Sequence, residues 1–96
     1  MAAALSELLA ALPRAELRQA GGDPTVHGIV SDSRRAAPGS LFVAYRGVEV
    51  DGHDYAAAAV AQGAVAVVAE RELPGLGVPQ IQVPDGREAL AYLAAA

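Results

Sequence analysis

Residues 41–69 carry the pattern that most narrows what this chain can fold into. "LFVAY" (residues 41–45) is a short apolar run bounded by Pro38-Gly39 on one side and Gly47 on the other. It reads as a buried strand. "AVAVVA" (residues 64–69) is a second such run, apolar on both faces, as expected of a strand covered on both sides by other layers. Between them Asp51 and Asp54 precede "YAAAAVAQ", and Gly63 follows directly. An acid at the N-cap, another in the first turn and a glycine past the end mark a helix start and stop. Strand, helix, strand at this spacing implies a right-handed crossover between parallel neighbours.

The flanking segments extend the same architecture. Leu5, Leu8, Leu9 and Leu12 recur at helical spacing, and Pro13 closes that helix. The opening "MAAALSELLAALPRA" lacks a basic leader and is interrupted by Glu7, so it reads as an amphipathic helix rather than a signal peptide. Residues 16–19 form a short strand before the turn signal "GGDP" (residues 21–24). "VHGIVS" (residues 26–31) reads as a strand interrupted by Gly28, and "PQIQV" (residues 79–83) as another. Asp85 with Glu88 makes a capping pattern that opens a helix through "EALAYLAAA" to the end. That helix has no C-cap signal, so the chain is expected to be cut from something longer. The expectation is one α/β domain over residues 1–96, with a small mixed sheet of about four or five strands, a β-α-β unit and about three helices.

Composition limits the function classes. Apolar residues make up 53% and charged residues 19%, enough to bury a core. The formal net charge is −4 with no basic stripe, which disfavours nucleic acid as a partner, because such binding draws on Lys/Arg at phosphates. No segment approaches the roughly 20 apolar residues of a membrane span. There is no cysteine, which excludes disulfides, thiolate metal sites and a cysteine nucleophile, and which fits a cytoplasmic protein. All seven basic residues are arginine. Without lysine there is no P-loop lysine and no Schiff-base amine, so a nucleotide-driven reaction would have its reacting centre elsewhere.

Two segments are candidate sites. "SDSRR" (residues 31–35) ends a strand, where ligands bind in α/β sheets. The hydroxyls of Ser31 and Ser33 suit a phosphate or a base, and Arg34 or Arg35 would add charge-assisted hydrogen bonds. From the residues alone plain turn chemistry is the simpler reading of the same segment, with Asp32 and an arginine as a structural ion pair. "GVEVDGHD" (residues 47–54) feeds a helix N-terminus. Acids in that first turn compete with an anion, so contact of the loop backbone with a base or ribose is favoured over phosphate docking. Capping by Asp51 with room supplied by Gly52 is the simpler reading. Asp51, His53 and Asp54 are neighbours in sequence and rarely converge on one ion, so no metal site is expected; nor does any Ser/His/Asp spacing point to a hydrolase.

From "HGIVSDSRR" through "PGSLFVA", "DGHDY" and "GAVAVV" to "VPQIQVPDGREALAYLA", the ordered series resembles the N-terminal domain of the Mur ligases. It is most similar to the type that adds the third residue of the peptidoglycan stem peptide (MurE type), and the next-step MurF type shares part of the pattern. The resemblance implies a domain that binds the UDP moiety of UDP-N-acetylmuramoyl-L-alanyl-D-glutamate. The ATP-binding and C-terminal domains of the same polypeptide would supply catalysis with ATP and Mg2+. The family reaction makes an acyl phosphate that the amine of diaminopimelate or lysine attacks. It implies no catalytic residue and no cofactor in this chain. Carried over by position, Ser33 and Ser31 contact the nucleotide, and Val48, Glu49 and Val50 lie against it through backbone. Asp32, Arg34, Asp51, Gly52 and His53 match the family's signatures in supporting roles. A ligand-free α/β interaction module is the alternative from a different class, for which capping and turn chemistry would suffice.

Overall fold

The computed structural model describes residues 2–19, 22–48 and 50–95. Its centre is a five-stranded sheet in the order β2 (Glu16–Gln19), β7 (Gln80–Gln82), β6 (Ala66–Ala69), β5 (Ser40–Val43), β4 (Gly28–Val30). The four strands β4 to β7 run parallel, and β2 closes one edge antiparallel to β7. The sheet is therefore mixed, with the strand number and the three helices the sequence led us to expect.

Alternation along the two central strands builds two cores. On β5, Leu41 and Val43 face one side, while Phe42, with Ala44 just beyond the strand, faces the other. On β6, Ala66 and Val68 share the first side, Val67 and Ala69 the second. Both strands are buried throughout, because each face has its own helical cover. Leu5, Leu8 and Leu12 from α1 (Leu5–Ala10) and its C-terminal turn join Ala89 and Leu93 of α3 (Gly86–Ala95) on the first face. Ala56 and Ala59 of α2 (Ala56–Ala61) cover the second. The alanine-rich α2 packs thinly against Phe42, the chain's only phenylalanine.

The α2 crossover depends on Gly63. Its φ is +113°, and a Cβ there would stand 2.6 Å from Pro38 Cα. Only glycine adopts that backbone and tolerates that approach. Its carbonyl accepts from Gly39 N at 3.0 Å, which ties the end of α2 to the turn that launches β5.

Three expectations need correction. The strand read over residues 26–31 is two strands in two sheets. β3 (Thr25–Val26) pairs antiparallel with β1 (Ala3–Ala4), and β4 starts at Gly28. The break falls at His27, whose N–H leaves the ladder to donate to Gly39 O at 2.8 Å; Gly28 itself is in register with Ser40. The second helix begins as a 3-10 turn at Gly52–Tyr55 and becomes α-helical only from Ala56. At α3, Asp85 Oδ1 does accept from the N–H groups of Arg87 (2.9 Å) and Glu88 (3.2 Å). Glu88, however, reaches Arg14 rather than back to the cap. The predicted "GGDP" turn includes Gly21, and the predicted helix end includes Ala96; both lie outside the described residues.

Candidate functional site

β4 ends at Val30, and the chain turns away from the sheet through a 3-10 turn at Ser33–Arg35. Asp32 is its N-cap and accepts from Arg34 N at 2.9 Å. The same carboxylate receives Arg34 Nε at 3.1 Å and Nη2 at 2.8 Å, a two-pronged ion pair. These hydrogen bonds, side chain first and backbone second, hold the Asp32 carboxyl down to about 2. The Asp32–Arg34 pair that the sequence offered as structural is therefore present, and it shapes the turn. Arg34 projects into solvent while paired.

That turn leaves Ser33 in a distinct position. The residue is 8% exposed, yet it lines a cavity, and its hydroxyl makes no hydrogen bond to another described group. Its carbonyl accepts from Gln62 Nε2 of the α2 C-terminal turn at 3.1 Å, which anchors the turn to the helix behind it. Ser31 lines the same cavity and is exposed.

The opposite wall comes from the segment after β5. Arg46 and Asp51 form an antiparallel bridge, and Gly47 N donates to Val50 O at 2.8 Å, so Arg46 and Gly47 lie alongside Val50 and Asp51. Val48 is 94% exposed and does not line the cavity; Val50 does. Glu49 lies outside the described residues. Gly52 N donates to Tyr45 O at 2.9 Å, and a Cβ on Gly52 would meet that same oxygen at 2.9 Å. Glycine is what lets the loop lie flat against the end of β5.

Asp51 and His53 stand behind this wall, not in it. Asp51 caps the 3-10 turn by accepting from His53 N at 3.0 Å, and its Oδ1 is 2.6 Å from His53 Nδ1. His53 Nε2 accepts from Glu70 N at 2.8 Å, so the ring proton is on Nδ1 and is donated to Asp51. Arg71 Nη1 adds a bond to Asp51 Oδ2 at 3.1 Å. The two bonds from His53, followed by that from Arg71, hold the Asp51 carboxyl well below the usual carboxylate range. Capping by Asp51 was legible from sequence. The role of His53 as a buried clamp between the loop and the end of β6 was not, because its partner, the Glu70 amide, is seventeen residues away.

Together these segments enclose a cavity of about 490 Å³ beyond the carboxyl ends of β4 and β5, where ligands of parallel α/β sheets bind. Ser31, Asp32, Ser33 and Arg34 form one side, and Val50, Gly52 and Tyr55 the other. Phe42 and Tyr45 complete it. Six of the ten sequence-derived candidates thus share one cavity, and Val48, Asp51 and His53 do not reach it. Sequence reasoning missed the aromatic lining. The available signal was that three of the four aromatic residues fall within residues 42–55, interleaved with the candidate motifs. Chemically the cavity offers hydroxyls and flat apolar walls. Among the described lining residues the one carboxylate, Asp32, is paired with Arg34.

The N-terminus of α3 offers no anion site. Glu70 Oε2 accepts from Gly86 N at 2.7 Å, and Asp85 takes the next two amides. This end is filled by carboxylates from the chain itself.

Comparison with known proteins places the chain. Residues 25–96 match the model described as Mur ligase family, catalytic domain. The chain is 49% identical over 90 residues to the UDP-N-acetylmuramoyl-L-alanyl-D-glutamate--2,6-diaminopimelate ligase of Geobacillus thermodenitrificans (strain NG80-2), covering 94% of this chain and 18% of that protein. It is 50% identical over 76 residues to the UDP-N-acetylmuramyl-tripeptide synthetase of Roseiflexus sp. (strain RS-1), covering 77% and 15%. Among solved structures, a crystal structure of MurF from Acinetobacter baumannii superposes with a TM-score of 0.68 at 35% identity, covering 74% of this chain and 16% of that one. The MurF ligase of Thermotoga maritima in complex with ADP gives 0.60 at 34% identity, covering 69% and 15%. The chain spans less than a fifth of the length of the curated relatives it matches. With the family model matched over residues 25–96 and the sheet shared with solved members, the chain belongs to the Mur ligase family.

Proposed function

We propose that this chain is the substrate-anchoring first domain of an ATP-dependent ligase. The ligase extends UDP-N-acetylmuramoyl-L-alanyl-D-glutamate by the third stem-peptide residue, and the cavity beyond β4 and β5 receives the UDP end of that substrate. The observation that carries the reading is the cavity's composition. A buried serine with an uncommitted hydroxyl, Ser33, faces aromatic walls of a size suited to a small ligand. The relatives near 50% identity carry the names of the tripeptide-forming ligases, which favours that step. The similarity of solved MurF structures at 34–35% identity supports, as a second reading, the ligase of the following step.

On this reading the chain's part in the reaction is positional. ATP and Mg2+ act in other domains of the polypeptide, consistent with the absence of lysine here. Ser33 and Ser31 donate to the nucleotide, and backbone around Val50 and Gly52 lies against it. Binding energy gained at this remote end holds the reacting carboxyl in place, which lowers the entropic part of the barrier. A base with the wrong edge would leave polar groups unsatisfied, and that sets the preference for uracil. The work belongs to the cytoplasm, where ATP and the soluble precursor meet; no described helix is long and apolar enough to cross a membrane.

Titration of the chain with UDP and with CMP, followed by amide chemical shifts, tests this. UDP should move the amides of residues 31–35 and 50–55 and bind more tightly than CMP. Equal responses to both, or shifts confined to other parts of the chain, would remove the cavity as the uridine site.

A further inference from the structure

We propose that Glu70, which stands outside the cavity, is a positioning residue for it: its carboxylate locks the N-terminus of α3 against the end of β5 and thereby holds the Tyr45 ring in the cavity wall. The proposal rests on the UDP reading of the cavity for its binding readout, while the linkage itself has a readout that needs no ligand.

Glu70 directly follows β6, a central strand buried throughout, and does not line the cavity. Two elements that bound the cavity meet on it. Its N–H donates to His53 Nε2 at 2.8 Å, behind the turn that carries Gly52 and Tyr55. Its Oε2 accepts from Gly86 N, the first amide of α3, at 2.7 Å. The next amides of that helix, those of Arg87 and Glu88, are taken by Asp85 just before it. Asp85 is a local cap. Glu70, sixteen residues away in sequence, is a tertiary tie, and a carboxylate suits the positive end of the helix.

The tie reaches the cavity through the first turn of α3. Gly86 is buried against the backbone that leaves β5: a Cβ there would stand 2.5 Å from Ala44 O and 2.7 Å from Tyr45 Cβ. Glycine lets the helix start in contact with Tyr45. Arg87 then lays its guanidinium 5.2 Å from the centroid of the Tyr45 ring, where the ring face attracts a cation. Arg87 is exposed, and a long side chain in water keeps one geometry only when the backbone beneath it is fixed. Tyr45 lines the cavity. The linkage therefore runs from the Glu70 carboxylate to the Gly86 amide, to Arg87 and to the ring. A cavity whose walls are set before the ligand arrives binds it without paying to order them.

The test combines calorimetric titration of the chain with UDP and side-chain NMR of the free chain. Glu70→Ala keeps the backbone amide that serves His53 and removes only the tie to α3. It should weaken UDP roughly fivefold, an indirect loss about the size of one hydrogen bond. Glu70→Gln, which keeps an acceptor oxygen, should recover most of the affinity. In a Tyr45→Leu background Glu70→Ala should add nothing, because both changes break the same linkage. In the free chain the Arg87 side-chain protons, held upfield by the Tyr45 ring, should return to ordinary positions in Glu70→Ala, while the amides of Gly52 to Tyr55 stay in place. Should Glu70→Ala not fold, Glu70→Asp, whose carboxylate stops short of Gly86, replaces it in every arm. Unchanged affinity in the folded variant, no recovery in Glu70→Gln, or a loss that adds in full to that of Tyr45→Leu would overturn the proposal while leaving the cavity as the UDP site. If the wild-type chain binds no UDP, the UDP reading fails and the Arg87 shifts decide the linkage: their return in Glu70→Ala supports it, and unchanged shifts overturn it.

Discussion

Ser33 is the residue on which the binding hypothesis turns. The sequence "SDSR" is ordinary turn chemistry, and Asp32 performs that chemistry completely by capping the turn and pairing Arg34. Asp32 satisfies the turn, and the neighbouring Ser33 lines the cavity with a hydroxyl that makes no hydrogen bond to another described group. Ser33→Ala should therefore leave the fold intact and weaken UDP binding by about 0.5–1.5 kcal/mol, the worth of one hydrogen bond. An unchanged affinity in a calorimetric titration would take Ser33 out of the site. The two serines thus have separate standing: Ser31 is exposed at the rim, and Ser33 is buried within it.

Among the elements, the 46–55 segment is held by a part of the chain far away in sequence. His53, with a side chain only 1% exposed, joins Asp51 in the loop to the Glu70 amide past β6. His53→Ala would leave that amide without its acceptor, at a cost of about 1–3 kcal/mol in unfolding free energy before any packing loss is counted. The same variant should loosen the cavity wall and weaken UDP binding, although His53 does not touch the cavity. Denaturant unfolding and the UDP titration check the two effects separately; an unaltered stability would contradict the clamp. Elements of this kind mark the limit of sequence reading. The β5–α2–β6 unit was legible because apolar runs, caps and Gly63 are all local signals. The division of residues 25–30 between two sheets was not, because it depends on Gly39 O drawing His27 N out of the ladder. The hydroxyl-bearing side of the cavity was legible from "SDSR", whereas Phe42, Tyr45 and Tyr55 meet it only once the sheet has formed.

For the whole molecule, acid should be destabilising in a defined window. The carboxyls of Asp32 and Asp51 titrate lower when folded than the ordinary value of 3.8, Asp32 at about 2 and Asp51 lower still. A depressed folded value means the stabilisation is complete above the unfolded value and is lost as pH falls through the folded one. Thermal midpoints should accordingly be flat with respect to these two groups above about pH 5 and decline as pH falls from about 4 to 2. Replacing Asp32 by Asn should flatten part of that decline. The same carboxylates staple the two turns that bound the cavity, Asp32 by pairing with Arg34 and Asp51 by capping the turn of His53. The most direct measurement is a crystal structure of the chain with UDP. Density for the uridine end of the nucleotide in the cavity beyond β4 and β5, with the Ser33 hydroxyl within hydrogen-bonding distance of the ligand, is the expected result. Nucleotide density outside this cavity, or a Ser33 hydroxyl turned onto its own backbone with UDP bound, would contradict it.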